Sequence, residues 1–233
     1  DLEGPICPGS QLPISEISSL SSALLIGCNI RKELPLVALR FRKLSQNGGR
    51  IATLNPLDFK NNFVSTTDWI TEPHQMPAAL AAVASALAKK SNVDVPDEFE
   101  IYRRSGFNLN FELASEIASL LSDGAGKKLL VLGQLAVQHF AAAELRTIAY
   151  WMSLHCDVQV AVLPEANSAA GWLAGCIPHR GVNSQAIERP GRNAATIAED
   201  SLSACVLFGL EPFLDYASPA SLDRVLSEVE FVL

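Results

Sequence analysis

Three short apolar runs in this chain each end in glycine: Ser22-Ala-Leu-Leu-Ile-Gly27, Lys128-Leu-Leu-Val-Leu-Gly133 and Cys205-Val-Leu-Phe-Gly209. Runs this short, apolar without alternation, suit strands buried on both faces. Each is followed by a loop and then a helical pattern. Strands that alternate with helices predict an α/β fold with mainly parallel sheets, in which ligands sit beyond the carboxyl ends of the strands. The first and third runs also share a downstream Glu and Pro, Glu33/Pro35 and Glu211/Pro212.

The intervening residues fill in the pattern. Leu34, Val37, Phe41 and Leu44 predict a helix over Arg31–Leu44, with Pro35 in its first turn and Asn47-Gly48-Gly49 as its stop. Arg50-Ile-Ala-Thr-Leu-Asn-Pro56 predicts a second strand ending in a breaker, which makes a β-α-β unit with a right-handed crossover. Phe63–Thr66 is expected as a further short strand and Met76–Lys90 as an Ala-rich helix. Ser91–Asn110, with Pro96 and several charges, is expected to connect two lobes. The second lobe then reads as helix Phe111–Leu121, the stop Asp123-Gly-Ala-Gly126, the Lys128 strand, a long helix Val137–His155, strand Val158–Leu163 and helix Ala166–Leu173. After the Cys205 strand come a helix over Ser221–Glu228 and a strand start at Glu230–Leu233. The expected organisation is two Rossmann-like lobes, residues 1–98 and 99–233. The chain opens at Asp1 without a leader of charged then apolar residues and stops in a strand start, so it is expected to be a fragment, cut short in its second lobe.

Composition excludes several classes. Hydrophobic residues at 48% and charged residues at 18% rule out a disordered or collagenous chain. A net charge of −7, with no basic run longer than pairs such as Lys89-Lys90 or Arg103-Arg104, excludes a phosphate-neutralising surface, so no nucleic-acid partner is expected. The longest apolar stretch, Ala78–Ala88, is far short of the ~20 residues that span a bilayer, so no membrane insertion is expected.

Candidate chemistry is sparse. Cys7, Cys28, Cys156, Cys176 and Cys205 contain no CxxC pair, and His74, His139, His155 and His179 have no HxxxH or HExxH spacing. No disulfide framework or metal site follows from such spacing. There is no Gly-x-Ser-x-Gly elbow and no singled-out carboxylate pair, so no catalytic residue is expected. Gly124-Ala-Gly-Lys-Lys128 echoes a phosphate loop but lies between a helix and a strand, where it reads as a helix cap. His179-Arg180, after Pro178, reads as a solvated loop pair or a partner contact. Two strand-end loops remain. Gly27-Cys-Asn29 is a structural turn, with Asn29 as a helix cap, or a nucleotide-type loop lacking the GxGxxG fingerprint. Leu163-Pro-Glu-Ala-Asn167-Ser-Ala-Ala-Gly171 is a close-packed helix start capped by Asn167, or a ligand loop.

Four stretches, taken in order, carry a resemblance. They are Leu24–Phe59, with Arg31-Lys-Glu33 and Leu54-Asn-Pro56; Ala166-Asn-Ser-Ala-Ala-Gly-Trp-Leu-Ala-Gly175, with Pro178-His-Arg180; Ala204–Asp215, with Gly209-Leu-Glu-Pro212; and Val225–Leu233. Together they resemble the large iron–sulfur (G) subunit of respiratory complex I, NADH:quinone oxidoreductase. The corresponding region of that family is similar to molybdopterin oxidoreductases such as formate dehydrogenase, whose strand-end loops cradle two pterin guanine dinucleotides. The resemblance implies a molybdopterin-oxidoreductase-like scaffold without molybdenum cofactor, in a complex that passes electrons from NADH to quinone and pumps ions. It places vestigial pterin-nucleotide loops at Gly27, Asn29, Pro35, Asn55, Pro56, Asn167 and Gly171. It puts the family's 2Fe-2S and 4Fe-4S clusters upstream of Asp1, the partners among the other peripheral-arm subunits, and the location at the cytoplasmic side of the inner membrane. The alternative reading is a fragment of a molybdenum- or tungsten-dependent enzyme that binds molybdopterin guanine dinucleotide through these loops.

Overall fold

A computed structural model describes residues 9–104, 106–163, 165–198 and 201–233. Cys7 therefore lies outside the described residues. The chain divides into two compact units, at residue 169/170.

The first unit is an α/β domain around one parallel sheet. Its strands are β1 (Ser22–Ile26), β2 (Arg50–Asn55), β3 (Thr67–Ile70), β4 (Lys128–Leu132) and β5 (Gln159–Val162), in the order β3-β2-β1-β4-β5. The first connection carries a helical turn, α1 (Ile30–Glu33), and a helix, α2 (Pro35–Gln46). Between β3 and β4 lie α3 (Met76–Ser91), α4 (Asp97–Arg104) and α5 (Phe111–Ser122). Between β4 and β5 lie α6 (Gln134–Val137) and α7 (Ala142–His155).

Strand periodicity explains the layers. Leu24 and Ile26 of β1 join Leu54, Leu130, Leu132, Val160 and Val162 on one face, beneath α3, α5 and α7. Ala23 and Leu25 point the other way, with Ile51, Leu129, Val131 and Ala161, beneath Phe41 and Leu44 of α2 and Ile17 of the 3₁₀ helix Ile14–Ser19. Both faces of the sheet are covered, as a parallel sheet requires.

The expected boundary at residue 98 does not exist. β1 pairs with both β2 and β4 in continuous parallel register, so residues on either side of 98 build one sheet. The segment 91–110 is not an inter-lobe link. It contains α4, which buries Phe99 edge-on against Trp151 at 5.2 Å. The strand expected at Phe63–Thr66 forms four residues later: Phe63 packs as a loop residue on the α2 side of the sheet, and Trp69 is the buried residue of β3. The long helix expected over Val137–His155 is broken after Val137. There His139 accepts the Ala141 N–H at Nδ1 (3.0 Å), and its Nε2 meets the Pro73 carbonyl (2.8 Å).

The second unit begins within α8 (Ser168–Ala174) and continues through α9 (Ala194–Ile197), β6 (Ala204–Cys205), α10 (Pro212–Asp215), α11 (Pro219–Glu228) and β7 (Phe231–Val232). β6 and β7 pair in parallel, and Leu222 and Val225 of α11 are buried. Of the third glycine-terminated run only Cys205 is strand; Val206 and Phe208 are exposed and Gly209 turns at φ +63°. Arg180 is buried rather than solvated, and its guanidinium donates to the Ser184 carbonyl. No helix among the described residues is long and apolar enough to cross a membrane.

Helix α2 offers a sharp test of this layering. Phe41 is fully buried, whereas Leu36 on the same helix is 81% exposed. Phe41→Ala is expected to lower the unfolding free energy by about 3–5 kcal/mol, and Leu36→Ala by less than about 0.5 kcal/mol. Equal losses in denaturant titrations would contradict the assignment of the two faces.

Candidate functional site

In a doubly wound sheet the position for a ligand is the gap where chain order reverses. Here that gap lies between β1 and β4, at their carboxyl ends. Two glycines let the loops that leave these strands meet. Gly27, at φ +54°, would bring a Cβ within 2.5 Å of the Ala136 nitrogen, and a Cβ on Gly133 would fall 2.5 Å from the Cys28 Cα. The Leu135 N–H donates to the Gly27 carbonyl at 3.0 Å. The two loops therefore pack on each other.

The backbone N–H groups of Cys28, Asn29 and Gln134 at the gap are taken up by the chain itself, while the Gln134 side-chain oxygen is buried without a partner. Asn29 and Gln134 open the two loops' helical turns and turn their backbone N–H groups toward one carboxylate. Asn29 N–H donates to Glu33 Oε1 at 2.6 Å, and Gln134 N–H donates to Glu33 Oε2 at 2.9 Å. The first bond is local, because α1 returns Glu33 one turn later. The second joins residues 101 apart in sequence. Asn55, 1% exposed at the end of β2, accepts the Cys28 N–H through Oδ1 at 2.7 Å. The Gln134 side chain donates to the Leu163 carbonyl at 3.0 Å, tying in the end of β5. The Cys28 thiol lies 3.8 Å from Glu33 Oε2. Burial first, and then the Glu33 charge, push its ionisation well above the ordinary thiol range, so it stays protonated at neutral pH.

The structure thus brings Gly27, Asn29 and Asn55 together, with half-buried Pro56 ending β2 and Pro35 at the first position of α2. The role of Asn29 differs from the sequence expectation: it does not cap α1 with its side chain, and its backbone is held by Glu33. Asn55 presents its oxygen to the Cys28 N–H. Asn167 is exposed beyond the end of β5, and Gly171 falls in the second unit. Glu33 and Gln134 were not singled out as site residues. The Glu33/Pro35 and Glu211/Pro212 pairing does not mark this role: in the second unit Glu211 gives its N–H to Asp215 Oδ2 at 2.8 Å, whereas Glu33 is itself the acceptor.

No group of three or more His, Cys, Asp or Glu suited to a metal occurs among the described residues. A cavity of about 770 Å³, lined by Arg42, Asn61, Ser65 and Thr66 among others, lies at the amino end of β2, opposite the gap.

No known family profile matches the chain, and no curated protein matches it. Among solved structures it is similar to a chain of the formyltransferase/hydrolase complex from Methylorubrum extorquens, determined with methylofuran. The TM-score is 0.48 and the identity 13%, covering 88% of this chain and 57% of that one. The chain therefore spans less than two thirds of that neighbour's length.

Two outcomes follow from the carboxylate. Glu33→Ala leaves the Asn29 and Gln134 N–H groups without their acceptor, and is expected to cost about 1–3 kcal/mol in denaturant unfolding; Glu33→Gln, which keeps an acceptor oxygen, is expected to cost less. A Glu33→Ala variant as stable as the parent would remove the bridge. The raised thiol ionisation gives the second. Stability tied to the neutral Cys28 is complete below about pH 8.5, the ordinary thiol value, and is lost as pH climbs through the higher folded-state value. At pH 8 a thiol reagent is expected to label exposed Cys176 promptly and Cys28 only on unfolding. Equal labelling rates, read by peptide mass spectrometry, would refute the burial.

Proposed function

We propose that this chain is a cofactor-free structural module of a multisubunit oxidoreductase, and that its parent is the G subunit of an NADH:quinone oxidoreductase. In this reading the module carries no active site. NADH oxidation and quinone reduction belong to the whole complex, electrons travel through iron–sulfur clusters held elsewhere in the subunit, and the module packs against other subunits of the peripheral arm on the cytoplasmic side of the inner membrane. The ordered sequence resemblance from Leu24 to Leu233 supports the parent.

The observation that carries the cofactor-free part is the Glu33 carboxylate at the switch point. Backbone N–H groups at strand ends are what a dinucleotide's pyrophosphate would use. Here a covalently attached anion already holds them. A pyrophosphate would have to displace Glu33 or lie beside it as a second anion, and like charges at such range repel strongly. Gly27 and Gly133 are filled against Ala136 and Cys28. A molybdopterin guanine dinucleotide therefore does not fit the residues present at this gap, although the molybdopterin-oxidoreductase-like scaffold remains the architecture we assign.

Elemental and pterin analysis of the intact native protein tests this. The expected result is iron in the subunit with neither molybdenum nor tungsten by mass spectrometry, and no fluorescence of oxidised pterin. Stoichiometric pterin with either metal would overturn the proposal in favour of a molybdenum or tungsten enzyme.

A further inference from the structure

The free edge of the sheet at β5 is closed by a short strap. Gly9 to Leu12 run antiparallel along β5, with Ser10 bridging Ala161, although every pairing between named strands in the sheet is parallel. The Gln11 N–H donates to the Val160 carbonyl at 3.1 Å, and the Val162 N–H donates to the Gly9 carbonyl at 2.9 Å. The Val160 N–H donates to the Gln11 side-chain oxygen at 2.7 Å, and the Ser153 hydroxyl donates to the same oxygen at 3.2 Å. Leu12 anchors the strap in the core at 4% exposure. Both N–H groups that Val160 and Val162 turn outward, and the Val160 carbonyl, are thereby satisfied, one of them by a side chain standing in for backbone.

The opposite edge is treated differently. β3 carries exposed Asp68, with Glu72 and Pro73 shortly after it, and charge and proline are the ordinary means of blunting an edge. β5 reads Gln159-Val-Ala-Val162 and carries no charge within the strand, where β3 carries Asp68, although exposed Asp157 and Glu165 flank it. An uncharged, apolar edge is a template for pairing. A second copy of this chain, related by a two-fold axis, offers an identical edge running antiparallel, with no like charge among residues 159–162 themselves. We infer that residues 9–12 are a built-in guard that keeps the β5 edge from pairing with the β5 edge of a second copy.

Three single variants of the whole chain test this: Gln11→Pro, which removes both Gln11 bonds to β5; Leu12→Asp, which removes the anchor; and Gln11→Ala, which removes only the side-chain acceptor. Hydrogen exchange and light scattering are read against the unsubstituted chain. The expected result is exchange about tenfold faster or more at the Val160 and Val162 amides, unchanged protection in β1, and a mass that rises toward twice the parent's as concentration increases. If Leu12→Asp or Gln11→Pro also loses protection in β1, Gln11→Ala decides, being the mildest. Unchanged β5 protection in the variants that keep β1 intact overturns the strap, and faster β5 exchange without a rise in mass overturns the guard.

Discussion

The Glu33 carboxylate is held by the amides of two loops that leave the sheet on either side of its switch point. Much of the first unit's arrangement is fitted to that junction. β1 occupies the centre of the sheet because its residues are apolar on both faces and both its edges are paired. A central parallel strand forces the loops after β1 and β4 to diverge over opposite faces, which leaves their first N–H groups directed into a shared gap. Unpaired backbone donors in such a place are costly. Many doubly wound proteins satisfy them with a ligand. This chain satisfies them with a side chain, and Gly27 and Gly133 supply the close approach that brings both loops within reach of one carboxylate.

How much of this was legible from sequence depended on whether the signal was local. β1 and β4 were readable because burial on both faces leaves a nearly unbroken apolar run, and β2 because Asn55-Pro56 closes it after a glycine turn. β3 was misplaced because an edge strand is half exposed and its Thr-Asp-Trp-Ile residues carry no clean pattern. α4 was read as a linker because Asp97, Glu98, Glu100, Arg103 and Arg104 mask the helical spacing of Phe99 and Tyr102. The supposed boundary at 98 followed from that error, and a pairing such as Leu24 with Leu130 leaves no trace in either run alone. At the site, Gly27 and Asn55 were identified by position but not by role. The bond from Gln134 to Glu33 joins residues 101 apart, beyond any pattern a linear reading can weigh.

The same economy recurs elsewhere. In the second unit the Asp215 carboxylate returns to the N–H of Glu211, repeating the local half of the Glu33 arrangement. At the sheet edge the Gln11 side chain takes the place of a backbone acceptor. In each case a nearby side chain does what a ligand or another strand would otherwise do.

The most direct test of the closed switch point is NMR of the backbone amides of Asn29 and Gln134 while the Glu33 carboxyl carbon is titrated with acid. The account predicts that both amide resonances move together with the Glu33 carbon, along one titration curve, and that millimolar pyrophosphate at neutral pH leaves them unmoved. A Gln134 amide that ignores the protonation of Glu33, or that shifts on addition of pyrophosphate, would contradict it.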